Sequence, residues 1–236
     1  MSNIIGLAGL SNSGKSTSLK YLDPESTFII SCTNKQLQIP GFRKKYPKAK
    51  IADKKLVGNW FINNNYANIT KMLQLISKTR EDIKVVVLDD ANYLLSNETF
   101  QNANIKGYDK FTTLAKNYYD LIESCMNLRE DLTVIFISHI ENCGTDIDPS
   151  YRLWTTGKML TNAINLDGLF SYIIYAERYV DDGTDEVHYR FKTRTDGNDT
   201  CRSIAGCFAD KYIEPNMKLV IDTINNPDLS GWERFV

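Results

Sequence analysis

The sequence predicts an α/β fold with a mostly parallel sheet, and three observations support this prediction. A glycine-rich segment, "GLSNSGKST", follows the short apolar run "NIIGLA" near the start of the chain. A second apolar run, "IKVVVLDD", ends in two aspartates, and strand-like segments alternate with helical ones. Such alternation is typical of a parallel sheet covered by helices. The length of 236 residues suits one unit of this kind, so we expect residues 1–236 to form a single domain.

The first element is an apolar strand that leads into a phosphate-binding loop. The loop fills every fixed position of the pattern G-x-x-x-x-G-K-[ST], and the helix-compatible run "STSLKYL" overlaps its end. Glycines let backbone N–H groups converge on phosphate oxygens at a helix start, where the dipole favours negative charge. Lys15 is expected to reach the β- and γ-phosphates of ATP, and Ser16 to ligate Mg²⁺. The predicted nucleotide-binding residues are Gly9, Ser11, Asn12, Ser13, Gly14, Lys15, Ser16 and Thr17. The alternative is a glycine and serine turn before an ordinary helix.

The next segments continue the alternation and lead to a pair of carboxylates. The run "STFIISC" predicts a second strand, and "NITKMLQLISK" places four apolar residues on one face of a predicted helix. The apolar run that ends at Asp89 and Asp90 then predicts a strand of the Walker B type. Asp89 is expected to hold the Mg²⁺ shell, and Asp90 to orient a water molecule for catalysis. An acidic turn after a strand is the alternative.

A long helix and a further parallel strand follow. The helix predicted from about Tyr108 to Arg129 aligns seven apolar residues on one face, so it should pack on the sheet. The run "LTVIFISHIE" predicts a strand that carries His139 to the carboxyl edge, where open α/β sheets bind ligands. We expect His139 to sense the γ-phosphate. The alternative is a polar residue that only caps a turn.

The last third of the chain predicts an irregular segment and a hairpin. The segment "NCGTDIDPSYRLWTTGK" exceeds the roughly 12 to 15 residues usual for an idle connection, which indicates a mobile functional loop. Two strands, Gly168–Tyr179 and Glu186–Thr195, flank the turn "DDGTDE" and should form an antiparallel hairpin.

Composition excludes some functions and leaves others open. The 28 Lys and Arg residues nearly balance the 29 Asp and Glu residues, so nucleic acid would need a local basic surface. No apolar run approaches the roughly 18 residues of a membrane span, and no signal peptide is evident, so we expect a cytoplasmic protein. The five cysteines form no C-x-x-C pair and only two histidines occur, which favours scattered reduced thiols over a zinc site.

One local basic surface is indicated by the run "FRKKYPKAKIADKK", residues 42–55. It holds seven basic residues and one acidic residue, interleaved with Phe42 and Tyr46. Such a segment could follow a phosphate backbone while its two rings stack on bases. A solvated basic loop is the alternative.

Several of these segments, taken in their order, resemble the RecA-like ATPase core. The phosphate-binding loop, "VVVLDD", the strand that ends in "SHIE" and the late strand with "KTR" are the elements of the resemblance. In particular, the chain looks like the phage-encoded P-loop ATP-binding proteins grouped with the RecA-like single-strand annealing recombinases of phages. The phrases "STFII", "KGYDKFT", "DLTVIF" and "RTDGNDT" are similar to that group, and the resemblance spans about residues 4–224.

The resemblance implies roles for individual residues. Gly14, Lys15, Ser16 and Thr17 would bind nucleotide and metal, Asp89 would support the metal, and His139 would relay the state of the γ-phosphate. Lys192 and Arg194 resemble a K-x-R pair that related ATPases insert into the site of a neighbouring subunit. Two cations two residues apart on a strand point the same way and could offset charge on the γ-phosphate. Such a pair implies a homo-oligomeric ring or filament; an exposed basic strand edge is the alternative.

The resemblance also implies a partner. Loops at about residues 92–106 and 141–158 would line a path for single-stranded DNA, and the protein would serve phage recombination or replication together with other phage proteins. Many RecA-like enzymes carry a catalytic glutamate after the second strand, but this sequence has "SCTN" there. Asp90 is the nearest substitute, so hydrolysis is expected to be slow or stimulated by DNA. The other function classes are a module that uses ATP to control assembly, and a small-molecule kinase, against which no arginine-rich lid is evident.

Overall fold

The central element of the molecule is an eight-stranded sheet. The computed structural model describes residues 1–107, 109–155, 165–181 and 183–227. The strands are β1 (Asn3–Ala8), β2 (Thr27–Ser31), β3 (Lys50–Ala52), β4 (Lys55–Val57), β5 (Trp60–Ile62), β6 (Val85–Asp89), β7 (Thr133–Ser138), β8 (Ile140–Asn142), β9 (Tyr151–Leu153), β10 (Tyr172–Val180), β11 (Val187–Lys192) and β12 (Tyr212–Ile213). The helices are α1 (Lys15–Ser18), α2 (Phe42–Lys45), α3 (Tyr66–Thr79), α4 (Tyr93–Gln101), α5 (Asp109–Met126) and α6 (Met217–Asn225), and short 3₁₀ helices cover Leu19–Tyr21 and Leu166–Leu169.

The strand order of the large sheet is β12-β11-β10-β1-β7-β6-β2-β5. The six strands from β10 to β5 run parallel, and only the pairs β10–β11 and β11–β12 are antiparallel. The predicted α/β class with a mostly parallel sheet is therefore confirmed. Because β7 lies between β1 and β6, the carboxyl ends of these three strands meet at one edge of the sheet.

Both faces of the sheet are covered, which explains why its strands read as continuous apolar runs. On one face, α3, α4 and α5 bury side chains such as Leu73 and Leu121. On the other face, α6 and the segment around α2 bury Val220 and Phe42. Successive residues of β6 alternate between these two cores, with Val86 in the first and Val87 in the second.

The two long helices agree with their predicted patterns. Helix α3 buries Ile69, Leu73 and Ile76, and the side chain of Asn65 accepts a hydrogen bond from the backbone N–H of Asn68 at its start. Helix α5 buries the predicted face from Leu114 to Cys125. It ends at Met126, three residues before the predicted end, while its predicted start, residue 108, lies outside the described residues.

Three predicted segments differ from the structure. The helix after the glycine-rich loop is one turn long and passes into a 3₁₀ helix that ends at Tyr21. Leu22 is extended and Pro24 follows two residues later, and a proline there does not allow the helix to continue. The predicted loop at residues 92–106 contains α4. The predicted irregular loop at residues 141–158 contains the antiparallel pair of β8 and β9, and residues 156–158 lie outside the described part. These segments are short and mix polar with apolar residues, so their sequence pattern does not reveal helices and strands that tertiary contacts stabilise.

The predicted hairpin is present with shifted bounds. Strands β10 and β11 pair antiparallel from Tyr175 with Lys192 to Val180 with Val187. The first strand begins at Tyr172, because Leu166–Leu169 form a 3₁₀ helix, and the second ends at Lys192, before Arg194. Residue 182 of the intervening turn lies outside the described residues. Within the described part of the chain, no helix is both long and apolar enough to cross a membrane.

Candidate functional site

A cavity of about 980 Å³ opens at the carboxyl edge of the sheet. Seven of the eight predicted nucleotide-binding residues, Ser11 to Thr17, line it, and so do Asp89, Asp90 and His139. The eighth residue, Gly9, contributes its carbonyl oxygen to a hydrogen bond with Lys15. The volume is at the upper end of the range of about 300–1,000 Å³ for small-molecule sites. The fold therefore brings together all the predicted site residues except Lys192 and Arg194.

The glycine-rich loop requires its glycines for different reasons. A Cβ atom on Gly9 would lie 2.5 Å from the carbonyl oxygen of Ala176 and 2.6 Å from Oγ of Ser13, so any side chain there would collide. Gly14 has a φ of 89°, in the left-handed region that favours glycine. The loop therefore packs directly against β10 and turns sharply into α1.

Lys15 is buried and held inside the loop. Its Nζ atom donates hydrogen bonds to the carbonyl oxygens of Gly9, at 2.8 Å, and Leu10, at 2.7 Å. Burial lowers the pKa of Lys15 to about 8, although the charges of Asp90 and Asp89 act to raise it. An ammonium group has three donors, so one N–H remains for a phosphate oxygen.

The two aspartates differ in environment. Asp89 is only 3% exposed, and no described residue gives its Oδ1 atom a hydrogen bond. Burial, followed by the charge of Asp90, raises the pKa of Asp89 to about 7. Asp90 is half-buried, has a φ of 57°, and accepts a hydrogen bond from Oγ1 of Thr33 at 3.4 Å. Both residues line the cavity, but Asp89 is buried with one carboxylate oxygen that has no hydrogen bond from a described residue, whereas Asp90 is more exposed.

These residues fit a magnesium ion. A buried carboxylate oxygen without a hydrogen bond is costly unless a cation or a donor compensates it. Magnesium binds through one or two carboxylates, keeps several waters and completes its shell with phosphate oxygens. Among the described residues no group of three or more His, Cys, Asp or Glu side chains surrounds a metal position, and a magnesium site of this type needs none.

His139 lies between the glycine-rich loop and the aspartates, as β7 lies between β1 and β6. Its backbone N–H donates to Oδ1 of Asn92 at 3.3 Å, and its ring meets that of Tyr93 edge-on at 6.2 Å. Burial, then the charge of Lys15, lowers the pKa of His139, so its imidazole is neutral at pH 7. A neutral ring at this position can donate or accept one hydrogen bond near a phosphate.

Several cavity residues were missed by the sequence reasoning. Thr33 and Lys35 follow β2, whose carboxyl end lies at the same edge of the sheet, so their position after a predicted strand was an available signal. Arg178 and Tyr189 reach the cavity from the hairpin. No sequence pattern indicates them, since their place depends on how β10 pairs with β1 and β11.

The prediction that Lys192 and Arg194 form a pair of cations on one strand is wrong, because β11 ends at Lys192. Lys192 is 3% exposed and forms ion pairs with Asp196, at 2.8 Å, and with the buried Asp199. Burial acts to lower the pKa of Lys192, but its bonds to Asp196 and Asp199 outweigh that effect and raise it. Arg194 lies beyond the end of β11 and is exposed. Neither side chain lines the cavity of its own chain; a role in a neighbouring subunit stays a prediction.

The predicted base-stacking role of Phe42 and Tyr46 is also wrong. Both rings are 1% exposed, stack on each other at 5.2 Å and pack beside Trp60 in the core. The seven cations of the segment remain exposed: Arg43, Lys44, Lys45, Lys48, Lys50, Lys54 and Lys55. Composition showed that the segment mixes rings with charges, but only packing decides which of them reaches solvent.

Comparisons with known proteins add little to this geometry. No family model and no curated protein matches the chain. Among solved structures, the chain is similar to the flagellar accessory protein FlaH from Methanocaldococcus jannaschii, with 14% identity and a TM-score of 0.40. The match covers 80% of this chain and 76% of that one. A similarity this distant does not indicate a function, so the interpretation of the site depends on the contacts within this chain.

Proposed function

We propose that the chain binds ATP with Mg²⁺ in this cavity and hydrolyses it slowly. The observation that carries the proposal is the placement of Lys15 and Ser16, from a complete phosphate-binding motif, in one cavity with the buried Asp89, whose Oδ1 atom has no hydrogen bond from a described residue. The elements β1, β7 and β6 hold these groups at one edge of a rigid sheet. A cation from the loop and a carboxylate for the metal are the two requirements for binding a triphosphate.

Each group has a distinct task in the proposed reaction. Backbone N–H groups of the loop hold the phosphates, and Lys15 places its charge beside the β- and γ-phosphates. Ser16 and Asp89 would hold the magnesium ion, which supplies further positive charge to the triphosphate. Asp90, which faces the cavity, orients the attacking water, and the neutral His139 responds to the presence of the γ-phosphate.

We expect slow hydrolysis because the residues that follow β2 include no carboxylate. Thr33 and Asn34 occupy the positions where a carboxylate base would be needed, and Thr33 contacts Asp90 instead. Asp90 is therefore the carboxylate that would serve as the base. Its backbone is in the left-handed conformation, which is strained for a residue other than glycine. This observation also supports the second candidate, a module that binds ATP to control assembly and hardly hydrolyses it.

Two variants test the proposal. Lys15→Ala should weaken ATP binding at least about 10-fold, because it removes a charge-assisted bond to phosphate. Asp90→Asn should spare binding and lower the rate of phosphate release, and Asn tolerates the left-handed backbone at this position. Titration calorimetry and a phosphate-release assay measure the two effects, with the exposed Lys44→Ala as control. Unchanged ATP affinity in Lys15→Ala would refute the assignment; an undetectable wild-type rate would favour the second candidate.

We further propose that single-stranded DNA is the partner and that the protein acts in phage recombination or replication as a ring or filament. The seven exposed cations of residues 43–55 support DNA binding through the phosphate backbone, and the resemblance of the sequence supports the biological setting. Replacing Lys44, Lys45 and Lys48 by Gln should weaken binding and reduce its salt dependence. Gel shifts at two salt concentrations, with and without ATP, measure this. Binding that is unaffected by the triple change would exclude this surface.

A further inference from the structure

The hairpin of β10 and β11 presents two different faces. On one face, Glu177 stands opposite Arg190, and the two form an ion pair at 3.0 Å. The guanidinium of Arg190 also lies 4.6 Å from the ring centre of Tyr179 and 3.6 Å from that of Tyr212. The charges of Glu177 and Arg190 on this face therefore compensate each other.

The opposite face of the hairpin carries a guanidinium without a partner among the described residues, that of Arg178. Ala176 and Phe191 form a cross-strand pair that is buried in the core with α6. The next pair on the same face is Arg178 with Tyr189, and both side chains are exposed and line the cavity. Among the described residues the guanidinium of Arg178 has no hydrogen bond, ion pair or ring contact, in contrast to that of Arg190.

The ring of Tyr189 lies directly against the glycine-rich loop. A Cβ atom placed on Gly14 would be 3.3 Å from Cδ1 of Tyr189, so the ring edge leaves no more than the space of one methyl group beside the residue that precedes Lys15. Tyr189 remains 45% exposed and lines the cavity, so a ligand can reach its side chain. An accessible aromatic ring beside a phosphate-binding loop is suited to stacking on a nucleobase.

The strand order decides which end of a nucleotide meets this ring. The hairpin lies on one side of β1, whereas β7 and β6, with His139 and Asp89, lie on the other. A metal-bound γ-phosphate belongs on the side of the aspartates. The nucleoside therefore extends from the loop towards the hairpin, where Tyr21 and Pro215 also line the cavity.

We propose that Tyr189 stacks on the nucleobase of the bound triphosphate and that Arg178 contacts the base from the adjoining strand. This inference rests on the proposed function and adds the basis of base recognition. Stacking does not read the hydrogen-bonding edge of a base. The stacking contact should consequently contribute about equally to the binding of ATP and of GTP, since both present a purine face.

The test compares ATP with inorganic tripolyphosphate, which carries the phosphates without a base. Tyr189→Ala should weaken ATP binding with Mg²⁺ about 5-fold or more, the size expected for one stacked base, and leave tripolyphosphate affinity unchanged. Tyr189→Phe keeps the ring and should bind both ligands like the wild type. Arg178→Gln should also weaken ATP more than tripolyphosphate. Tyr179→Ala, on the face of the same hairpin that carries Glu177 and Arg190, is the matched control and should leave both affinities unchanged.

The outcomes separate the two proposals. If Tyr189→Ala weakens both ligands equally, the ring only supports the glycine-rich loop, and the stacking role is overturned. If it weakens neither, the base lies elsewhere and the inference is equally overturned. If the wild type binds neither ATP nor tripolyphosphate, the proposed function itself fails. Calorimetry on the full chain measures all these affinities.

Discussion

Replacing Asp89 by asparagine should stabilise the ligand-free protein and at the same time abolish Mg²⁺-dependent nucleotide binding. The side chain is buried at the end of β6, and its Oδ1 atom has no hydrogen bond from any described residue. The folded protein must therefore bury a charge that Lys35 and Lys15 compensate only in part whenever this carboxyl is ionised. Asparagine has the same size and carries no charge, so it removes that cost.

The magnitude follows from the pKa of Asp89, which rises from 3.8 to about 7 on folding. A raised pKa means that the fold disfavours the charged form, so the cost begins as the pH rises above 3.8 and is complete above about 7. It amounts to about 4 kcal/mol at pH 8 and about 2 kcal/mol at pH 5. Asp89→Asn should raise the free energy of unfolding by up to these amounts.

Urea unfolding at both pH values, with and without ATP and Mg²⁺, measures the effect. The ligand should stabilise the wild type by about 2.7 kcal/mol when it is present at 100 times its dissociation constant, and Asp89→Asn by much less. Asp90→Asn is the control, because Asp90 is half-buried and is not assigned to the metal, so this variant should keep the ligand effect. A loss of stability in Asp89→Asn at pH 8, or equal stabilisation of both proteins by the ligand, would refute the assignment of the metal carboxylate.

Affinity for ATP with Mg²⁺ should peak between about pH 7 and pH 8, because Asp89 must lose its proton and Lys15 must keep its own. Calorimetry across this range checks it, and the acid limb should vanish when Mg²⁺ is omitted; a flat profile would contradict both roles. Lys192→Met should destabilise the fold by about 3 to 5 kcal/mol, since it leaves the carboxylate of Asp199 buried without its partner. Arg194 is exposed, so Arg194→Ala should change the free energy of unfolding by less than about 0.5 kcal/mol in the same urea assay. If Lys192→Met and Arg194→Ala lose similar amounts of stability, the structural role assigned to the ion pair of Lys192 is contradicted. If Arg194 acts in a neighbouring subunit, mixing Arg194→Ala with an excess of Lys15→Ala should restore part of the ATPase rate; a mixture that never exceeds the sum of its parts would exclude that role.

Much of the candidate site was predictable because its signals are local. The glycine-rich loop places its residues by its own backbone, and a strand that ends in two aspartates places both at a sheet edge wherever that sheet is parallel. The amphipathic pattern of α5 likewise predicted its buried face from Leu114 to Cys125. Each of these predictions depends on neighbours within a few turns or one strand.

The errors occurred where distant residues decide the environment. The composition of residues 42–55 does not reveal that Trp60 and the second core draw Phe42 and Tyr46 inside. The spacing of Lys192 and Arg194 suggested two free cations on a strand. The chain beyond β11 instead returns Asp196 and Asp199 to Lys192, which converts one of the two into a buried ion pair.

The sequence by itself determined the α/β class, the order of its main strands along the chain, and which residues form the glycine-rich loop and the pair of aspartates. Only the tertiary structure decided which strands are neighbours and which side chains face the cavity. Arg178 and Tyr189 illustrate the physical reason. They are eleven positions apart and belong to no motif. The antiparallel register of β10 and β11 nevertheless sets them opposite each other, and the close approach of Gly9 to Ala176 brings that pair to the glycine-rich loop. Register and close approach are properties of paired strands, so a single segment of sequence does not contain them.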